Sequence, residues 1–219
     1  MISKKFKSAK RDYLYLLEKG FPQKGIIKLI GDRYALSGTE RTLLYRGITT
    51  KQNIAHRKHK IAKVKDVKGS NLIIDGYNVM ITIGNYLNGN TVFVSNDGFL
   101  RDAAEMHGKV FRKVLMDKVM NLILEDLGYL RIKSCIIYFD QPVSKSGELA
   151  SRISEQIMHA GLKGHAETAD SPDFKLKRIK NGFIATSDSS IIDTSSVKVF
   201  DLARHVIKRN FRPKMLDLR

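Results

Sequence analysis

The stretch Asn71-Leu72-Ile73-Ile74-Asp75-Gly76-Tyr77-Asn78-Val79 decides the fold of this chain. Its three consecutive apolar residues are typical of a central parallel strand that is buried on both faces. Asp75 follows at the carboxyl end of that strand, where open α/β sheets bind their ligands. Gly76 permits a sharp turn, and Asn78 is close enough in sequence to support whatever Asp75 holds. Because an Asp-Gly pair also forms ordinary turns, the rest of the chain must decide whether Asp75 is functional.

The composition is that of a globular protein. The chain has 219 residues, of which 42% are hydrophobic and 28% are charged, and no apolar run approaches the roughly 20 residues that span a bilayer. The basic start has no apolar segment after it, which argues against secretion. The single cysteine, Cys135, lies in an apolar run and is expected in the core rather than as a nucleophile. These features predict a cytoplasmic protein with no membrane partner.

The charge is distributed unevenly along the chain. Residues 1–69 contain 18 Lys and Arg against 5 Asp and Glu, and so hold +13 of the net charge of +17. Such an asymmetry indicates a basic module that faces nucleic acid, joined to a nearly balanced module. We therefore predict two domains, a basic helical nucleic-acid-binding domain with its linker over residues 1–69 and an α/β domain over residues 70–219.

The basic module is predicted to be all-α. Apolar residues at helical spacing indicate three short helices, over about 10–19, from Pro22 onward, and after the two possible caps Ser37 and Thr39. Residues 65–70 are polar and end in Gly69 and Ser70, which is typical of a linker.

The densest basic stretch lies between residues 51 and 68. A charge run is usually a solvated face, but this density suits a phosphate backbone. His56 and His59 are three residues apart, yet no cysteine or acid accompanies them, so phosphate contact is favoured over a metal site. The residues predicted to contact RNA, with tRNA and ribosomal RNA as candidates, are Lys51, Arg57, Lys58, Lys60, Lys63 and Lys65.

Strand and helix patterns alternate after residue 70. The turn signal Asn88-Gly89-Asn90, between β-branched runs, predicts a hairpin over 81–94. A long helix is predicted from about Gly108 to Gly128. Further strands are predicted over 135–139, 164–169, 183–186 and 197–201. The chain is therefore predicted to be α/β, with a mostly parallel sheet flanked by helices and a small all-α basic N-terminal domain.

Acids recur at the ends of these strands. Asp75, Asp140 and Asp188 follow strands, and Asp170 and Asp173 lie at the start of a predicted helix. Each alone is adequately explained as a cap or turn residue, but the carboxyl ends of parallel strands meet at one edge, so these acids are expected to converge. Clustered carboxylates repel one another unless a hard divalent cation neutralises them. The pattern predicts a site for Mg²⁺ or Mn²⁺ and metal-assisted phosphodiester hydrolysis, with Asp75, Asp140, Asp173 and Asp188 as catalytic residues.

Two segments resemble the PIN-like nuclease superfamily, particularly its NYN-type branch: residues 73–79 and Ala185-Thr186-Ser187-Asp188-Ser189. The resemblance implies a PIN-like sheet in which Asp75 and Asp188 are metal ligands. A third ligand maps onto either Asp170 or Asp173, and both remain open. In this resemblance Asn78 and Ser187 are supporting polar groups, and Asp140 is a fourth acid. The superfamily also has an acid on the helix between the first two strands, for which the alternatives are Asp102, Glu105 and Asp117.

Nearly the whole chain also resembles archaeal proteins that pair a small basic helical domain with a PIN-like domain. The segments that carry this likeness are residues 29–36, 97–102 and 139–147. The first functional hypothesis is a divalent-metal-dependent ribonuclease whose basic module grips RNA. The alternative is a catalytically inactive RNA- or ribosome-binding protein on the same scaffold. The sequence leaves the oligomeric state open.

Overall fold

A computed structural model describes residues 2–104, 113–141 and 146–219. The chain begins with a run of helices, α1 (Phe6–Glu18), α2 (Gln23–Arg33), α3 (Gly38–Gly47), α4 (Lys51–Lys60) and α5 (Val64–Val67). Ser37 caps α3 in a capping box with Glu40, as the sequence allowed. The helix α4 was not predicted; its cap is Thr50, whose hydroxyl accepts the Asn53 amide hydrogen. No described helix has the length and apolar character required to cross a membrane.

Strands and helices then alternate. The strands are β1 (Asn71–Asp75), β2 (Val92–Val94), β3 (Leu100–Asp102), β4 (Ser134–Asp140), β5 (Gly164–Ala169), β6 (Phe183–Ala185), β7 (Val199–Phe200) and β8 (Leu216–Asp217). The helices between them are α6 (Gly76–Leu87), α7 (Lys113–Tyr129), α8 (Ser146–His159), α9 (Pro172–Lys177), α10 (Ser189–Thr194) and α11 (Leu202–Phe211).

The main sheet has five parallel strands in the order β5-β4-β1-β6-β7. The strand β1 is central, and its Leu72, Ile73 and Ile74 are buried as their continuous apolar run predicts. Helices cover the sheet, and the predicted mostly parallel sheet with an all-α N-terminal region is confirmed. The order along the sheet reverses direction between β1 and β6, which makes their carboxyl ends the topological switch point.

The predicted hairpin over residues 81–94 is wrong. The helix α6 continues to Leu87, and β2 pairs instead with β3 in an antiparallel ladder that matches Val92 with Asp102 and Val94 with Leu100. Tertiary packing overrides the local turn signal, because α6 buries Val79, Met80 and Ile83 on one helical face against the core.

A second sheet connects the two parts of the chain. It has the order β3-β2-β8, and Phe93 and Leu218 from its strands and C-terminal end are buried with the apolar residues of α1, α2 and α3. At Gly47, a Cβ atom would lie 2.6 Å from the Phe93 ring and 2.7 Å from a Leu218 methyl group. The N-terminal helices therefore share a core with this sheet.

We predict that Gly76→Ala destabilises the protein, although alanine normally favours a helix. A Cβ atom at Gly76 would lie 2.4 Å from the Phe139 ring, and overpacking of this kind costs about 1–3 kcal/mol. Gly128→Ala is the matched control, because Gly128 is an exposed helical residue with no atom within 4 Å of the added carbon. The control should stabilise the protein by about 0.5–1 kcal/mol. Urea unfolding measures both, and equal effects would contradict the packing at Gly76.

Candidate metal centre at the carboxyl edge of the sheet

Asp75 is the buried acid at the end of the central strand. Only 9% of the residue is exposed, and it caps α6, since its Oδ1 accepts the Asn78 amide hydrogen at 3.4 Å. Its Oδ2 accepts the Thr186 hydroxyl hydrogen at 2.8 Å. The pKa of Asp75 is raised to about 7, chiefly by burial. The negative charges of Asp173 and Asp188 also raise this pKa, and the two hydrogen bonds oppose the rise.

The loop after β6 is linked to Asp75 by one hydroxyl group. Thr186 is 2% exposed; it donates to Asp75 and accepts the Asp188 amide hydrogen at 3.1 Å. Sequence reasoning did not single out Thr186, although the Thr-Ser-Asp run after a strand is the signal that contains it. A buried hydroxyl that bonds both acid-bearing segments fixes their separation.

Asn78 and Ser187 form the second link across the same edge. The Asn78 side-chain oxygen accepts hydrogen bonds from the Ser187 amide at 2.8 Å and the Ser187 hydroxyl at 3.1 Å. The structure thus brings these two sequence-predicted supporting residues together. Their bonds hold the first turn of α6 against the loop that precedes Asp188.

Asp188 is oriented by the helix that follows it. It caps α10 through Oδ1, which accepts the Ser190 and Ile191 amide hydrogens at 2.8 and 3.1 Å. Within the described part of the chain, no hydrogen bond occupies its Oδ2. One oxygen of Asp188 is therefore available at the edge of the sheet, and the residue is partly exposed.

Asp173 and Asp140 complete the acidic edge. Burial raises the pKa of Asp140, and the negative charge of Asp173 raises it further. Asp173 thus acts electrostatically on both Asp75 and Asp140. The charge of Asp170 acts instead on Lys175, whose pKa its negative charge helps to raise. Of the two alternatives left open by the sequence, Asp173 is the one whose charge acts on the pKa values of Asp75 and Asp140.

This edge carries negative charge that the protein does not neutralise. Among the described residues, no Lys, Arg or His forms an ion pair with Asp75, Asp140 or Asp188, and Asp173 has only the exposed Lys177 at 3.9 Å. In the ranges that the structure covers, no three acid, histidine or cysteine side chains are grouped closely enough to hold a metal among themselves. The donor chemistry is that of a hard cation, and Mg²⁺ typically uses one or two carboxylates plus waters and substrate phosphates.

The prediction that Arg57 contacts RNA is corrected by the structure. Arg57 is 6% exposed, and its guanidinium makes a bidentate ion pair with Asp193, with both N–O distances 2.7 Å. Its third nitrogen donates to Asp97 at 2.7 Å. Lys60 is likewise occupied, because its Nζ donates to the Ser195 carbonyl. Both residues join the helical part to the α/β part; Arg57 is buried and Lys60 is partly exposed.

The other predicted RNA contacts remain exposed. Four lysines lie at the surface: Lys51 and Lys58 on α4, Lys63 at the N-cap of α5 and Lys65 on α5. These four lysines are the exposed part of the predicted RNA-binding set.

Asp102 occupies a different environment from the other predicted site residues. It is buried on β3 and pairs with Arg46 of α3 at 3.0 Å. Of the alternative helix acids, Asp117 on α7 pairs with Arg152 at 3.3 Å. Glu105, and residues 142–145 of the segment that carried the archaeal likeness, lie outside the described residues.

A groove separates the acidic edge from the N-terminal helices. One cavity of about 490 Å³ has Asn78, Ser187 and Asp188 on one wall and residues of the helical part, including Tyr45 and Arg46, on the other. A neighbouring cavity of about 710 Å³ shares Tyr45, Arg46 and Asn78 and extends to Asp102. Of the predicted acids at the sheet edge, Asp188 lines this space together with residues of the helical part.

Comparisons with known proteins agree with this division of the chain. A family described as a domain of unknown function, DUF5616, matches residues 64–205, and a family described as a protein of unknown function, DUF434, matches residues 5–60. An uncharacterised protein of Methanocaldococcus jannaschii is 34% identical over 201 residues, covering 91% of this chain and 95% of that protein. No solved structure matches the chain. The chain belongs to the DUF5616 family, with a DUF434 region preceding the DUF5616 domain.

Proposed function

We propose that this protein is a divalent-metal-dependent ribonuclease that hydrolyses RNA phosphodiester bonds with Mg²⁺ or Mn²⁺. The observation that carries the proposal is the set of uncompensated carboxylates at the switch point of the sheet, led by the buried Asp75. Asp188 lines a groove, and the N-terminal part of the chain is strongly basic. The resemblance of residues 73–79 and 185–189 to the PIN-like superfamily supports the same reaction.

The residues at this edge fit a hard cation by their chemistry. Asp75 and Asp188 would hold it, and the charge of Asp173 acts on both Asp75 and Asp140. When bound, a divalent cation supplies charge neutralisation for the phosphate and a more acidic water. Because Mg²⁺ sites commonly complete their coordination with substrate phosphate, one or two protein carboxylates suffice.

The side chains around the acids have separate tasks. Thr186 orients Asp75 and fixes the amide of Asp188, and Asn78 fixes the intervening Ser187. Burial excludes water from one side of Asp75, which strengthens every electrostatic interaction that it makes. The site thus preorganises negative charge for a cation and its phosphate, the type of stabilisation that dominates phosphoryl chemistry.

The exposed lysines Lys51, Lys58, Lys63 and Lys65 would hold the RNA backbone. Structured RNAs such as tRNA and ribosomal RNA are the candidate substrates. A basic surface of this kind attracts RNA whatever its sequence, so the choice of target must come from elsewhere in the protein.

A second candidate function is RNA binding without cleavage. It is favoured by the finding that no three potential ligands are grouped among the described residues. This alternative predicts salt-dependent RNA binding that needs no metal and is unchanged when Asp75 is replaced. The two functions share the basic surface and differ at the acidic edge.

We expect the wild-type protein to cleave RNA in the presence of Mg²⁺ or Mn²⁺, and we expect cleavage to stop when EDTA chelates the cation. Asp75→Asn and Asp188→Asn should each reduce the rate by at least about 100-fold, since even the residues that support metal ligands cost 10–100-fold. Asp32→Asn is the control, because it removes an exposed acid of the helical part. Single-turnover assays on labelled tRNA and on unstructured RNA measure the rates. Equal cleavage rates for wild type and Asp75→Asn would show that the acidic edge is not the catalytic site.

The RNA-binding surface predicts a change in salt dependence. Lys58→Ala combined with Lys63→Ala should reduce the slope of log K against log[salt] by about 1.4, at about 0.7 for each single-strand phosphate contact. Lys133→Ala with Lys163→Ala is the matched control, because these exposed lysines precede β4 and β5 at the opposite edge of the sheet. Fluorescence anisotropy between low and moderate salt measures the slopes. If only the control pair reduced this slope, the RNA would bind near Lys133 and Lys163, and the predicted binding surface would be wrong.

The raised pKa of Asp75 predicts how stability depends on pH without metal. Its carboxyl ionises near 3.8 in the unfolded chain, but its pKa is about 7 in the fold. The folded state therefore holds the extra proton between these values, and the free energy of unfolding falls as pH rises through that window. Relative to wild type, the free energy of unfolding of Asp75→Asn should be higher by on the order of 1–3 kcal/mol at pH 8 in EDTA and should differ little at pH 4.

Asp201→Asn is the control for this effect. Asp201 is another buried helix cap, whose pKa burial raises to about 6, and its oxygens accept the Leu100 and Arg204 amide hydrogens. It should also gain stability at high pH. Added Mn²⁺ should then stabilise wild type and Asp201→Asn but not Asp75→Asn. Thermal unfolding measures both effects, and equal stabilisation of all three by Mn²⁺ would place the cation elsewhere.

A further inference from the structure

The helix that carries Asp188 is held at its far end by the N-terminal region. The helix α10 has six residues, too few to be stable without tertiary contacts. Its last turn faces three basic side chains of α4. Arg57 pairs with Asp193, His56 Nε2 lies 3.1 Å from the Asp193 carbonyl oxygen, and Lys60 donates to the carbonyl of Ser195. Cations at the C-terminus of a helix satisfy its last carbonyl groups and complement its dipole.

The first turn of α10 is held by the same charge network. Asp97 is 3% exposed and accepts from Arg57 at 2.7 Å and from both terminal nitrogens of Arg101 at 2.8 Å. Arg101 in turn donates to the Ser189 hydroxyl at 3.1 Å. Ser189 directly follows Asp188, so both ends of the helix are connected to Arg57.

The geometry restricts where the free oxygen of Asp188 can lie. Its Oδ1 is fixed by the amide groups of Ser190 and Ile191, so the carboxylate moves with α10. The guanidinium of Arg57 is planar and bonded on three nitrogens, which allows α10 little rotation or sliding. The position of Asp188 at the sheet edge therefore depends on a residue of the N-terminal helices.

We infer that Arg57 and Asp193 are a positioning pair through which the N-terminal helical region places the Asp188 carboxylate for cation binding. The inference rests on the proposed metal site and assigns the helical region a second task beside RNA binding. It also accounts for a buried arginine in the most basic stretch of the chain. In this role neither residue would bind the substrate or the cation itself.

The direct test is the Mn²⁺ affinity of the full-length protein, measured by electron paramagnetic resonance of free Mn²⁺. Arg57→Lys keeps the charge but loses the bidentate geometry, and Asp193→Asn keeps the shape but loses the charge. Each should weaken Mn²⁺ binding about tenfold, the range seen when residues that orient metal ligands are replaced. The double variant should be little worse than either single variant, because the two residues act as one unit.

Two control variants separate positioning from general damage. Gln52→Ala changes an exposed residue of α4, and Asp32→Asn removes an ion pair with Arg41 inside the helical region. Both should leave Mn²⁺ affinity unchanged. Circular dichroism checks folding, and Asp193→Asn carries the test if Arg57→Lys unfolds, because the Asp193 side chain is already 35% exposed.

RNA kinetics distinguish the roles that Arg57 can have. A positioning role lowers kcat in both variants and leaves KM for RNA unchanged. Unaltered Mn²⁺ affinity with a raised KM in Arg57→Lys would overturn the inference and make Arg57 an RNA contact, while the proposed metal site would stand. Absence of Mn²⁺ binding by the wild-type protein would instead overturn both.

Discussion

The structure depends on how the fold accommodates the carboxyl group of Asp75 at the end of its central strand. A buried acid needs hydrogen bonds or a counter-charge, because the loss of hydration disfavours its ionised form. Here the Thr186 hydroxyl and the Asn78 amide provide the hydrogen bonds. The neighbouring charges are negative. The arrangement leaves a deficit of positive charge, and the proposed cation would fill it.

The same fold treats its other buried acid clusters differently. Asp97 lies between Arg57 and Arg101, whose positive charges hold the pKa of its carboxyl far below its usual range. That cluster is fully paired and joins the two parts of the chain. The contrast between neutralised acids at this junction and uncompensated acids at the sheet edge is the reason for proposing the edge, and not the junction, as the ligand site.

Part of this arrangement follows from the sequence. The apolar run before Asp75 predicts the central strand that is found. The shared edge of parallel strands also predicts that the acids converge, but no three potential metal ligands are grouped among the described residues. The helix α6 was missed because β-branched residues and an Asn-Gly turn favour a hairpin locally, whereas burial of one helical face decides the outcome. Arg57 was misassigned because its partners Asp97 and Asp193 lie 40 and 136 residues away, and no local pattern records such contacts.

The central claim is that Asp75 and Asp188 hold a divalent cation at the switch point of the sheet. Anomalous diffraction from crystals grown with Mn²⁺ tests it most directly. The account predicts an anomalous peak in contact with the carboxylate oxygens of Asp75 and Asp188, and no such peak in crystals of Asp75→Asn. A peak elsewhere, or a wild-type edge in which the carboxylates bind only protein and water, would contradict it.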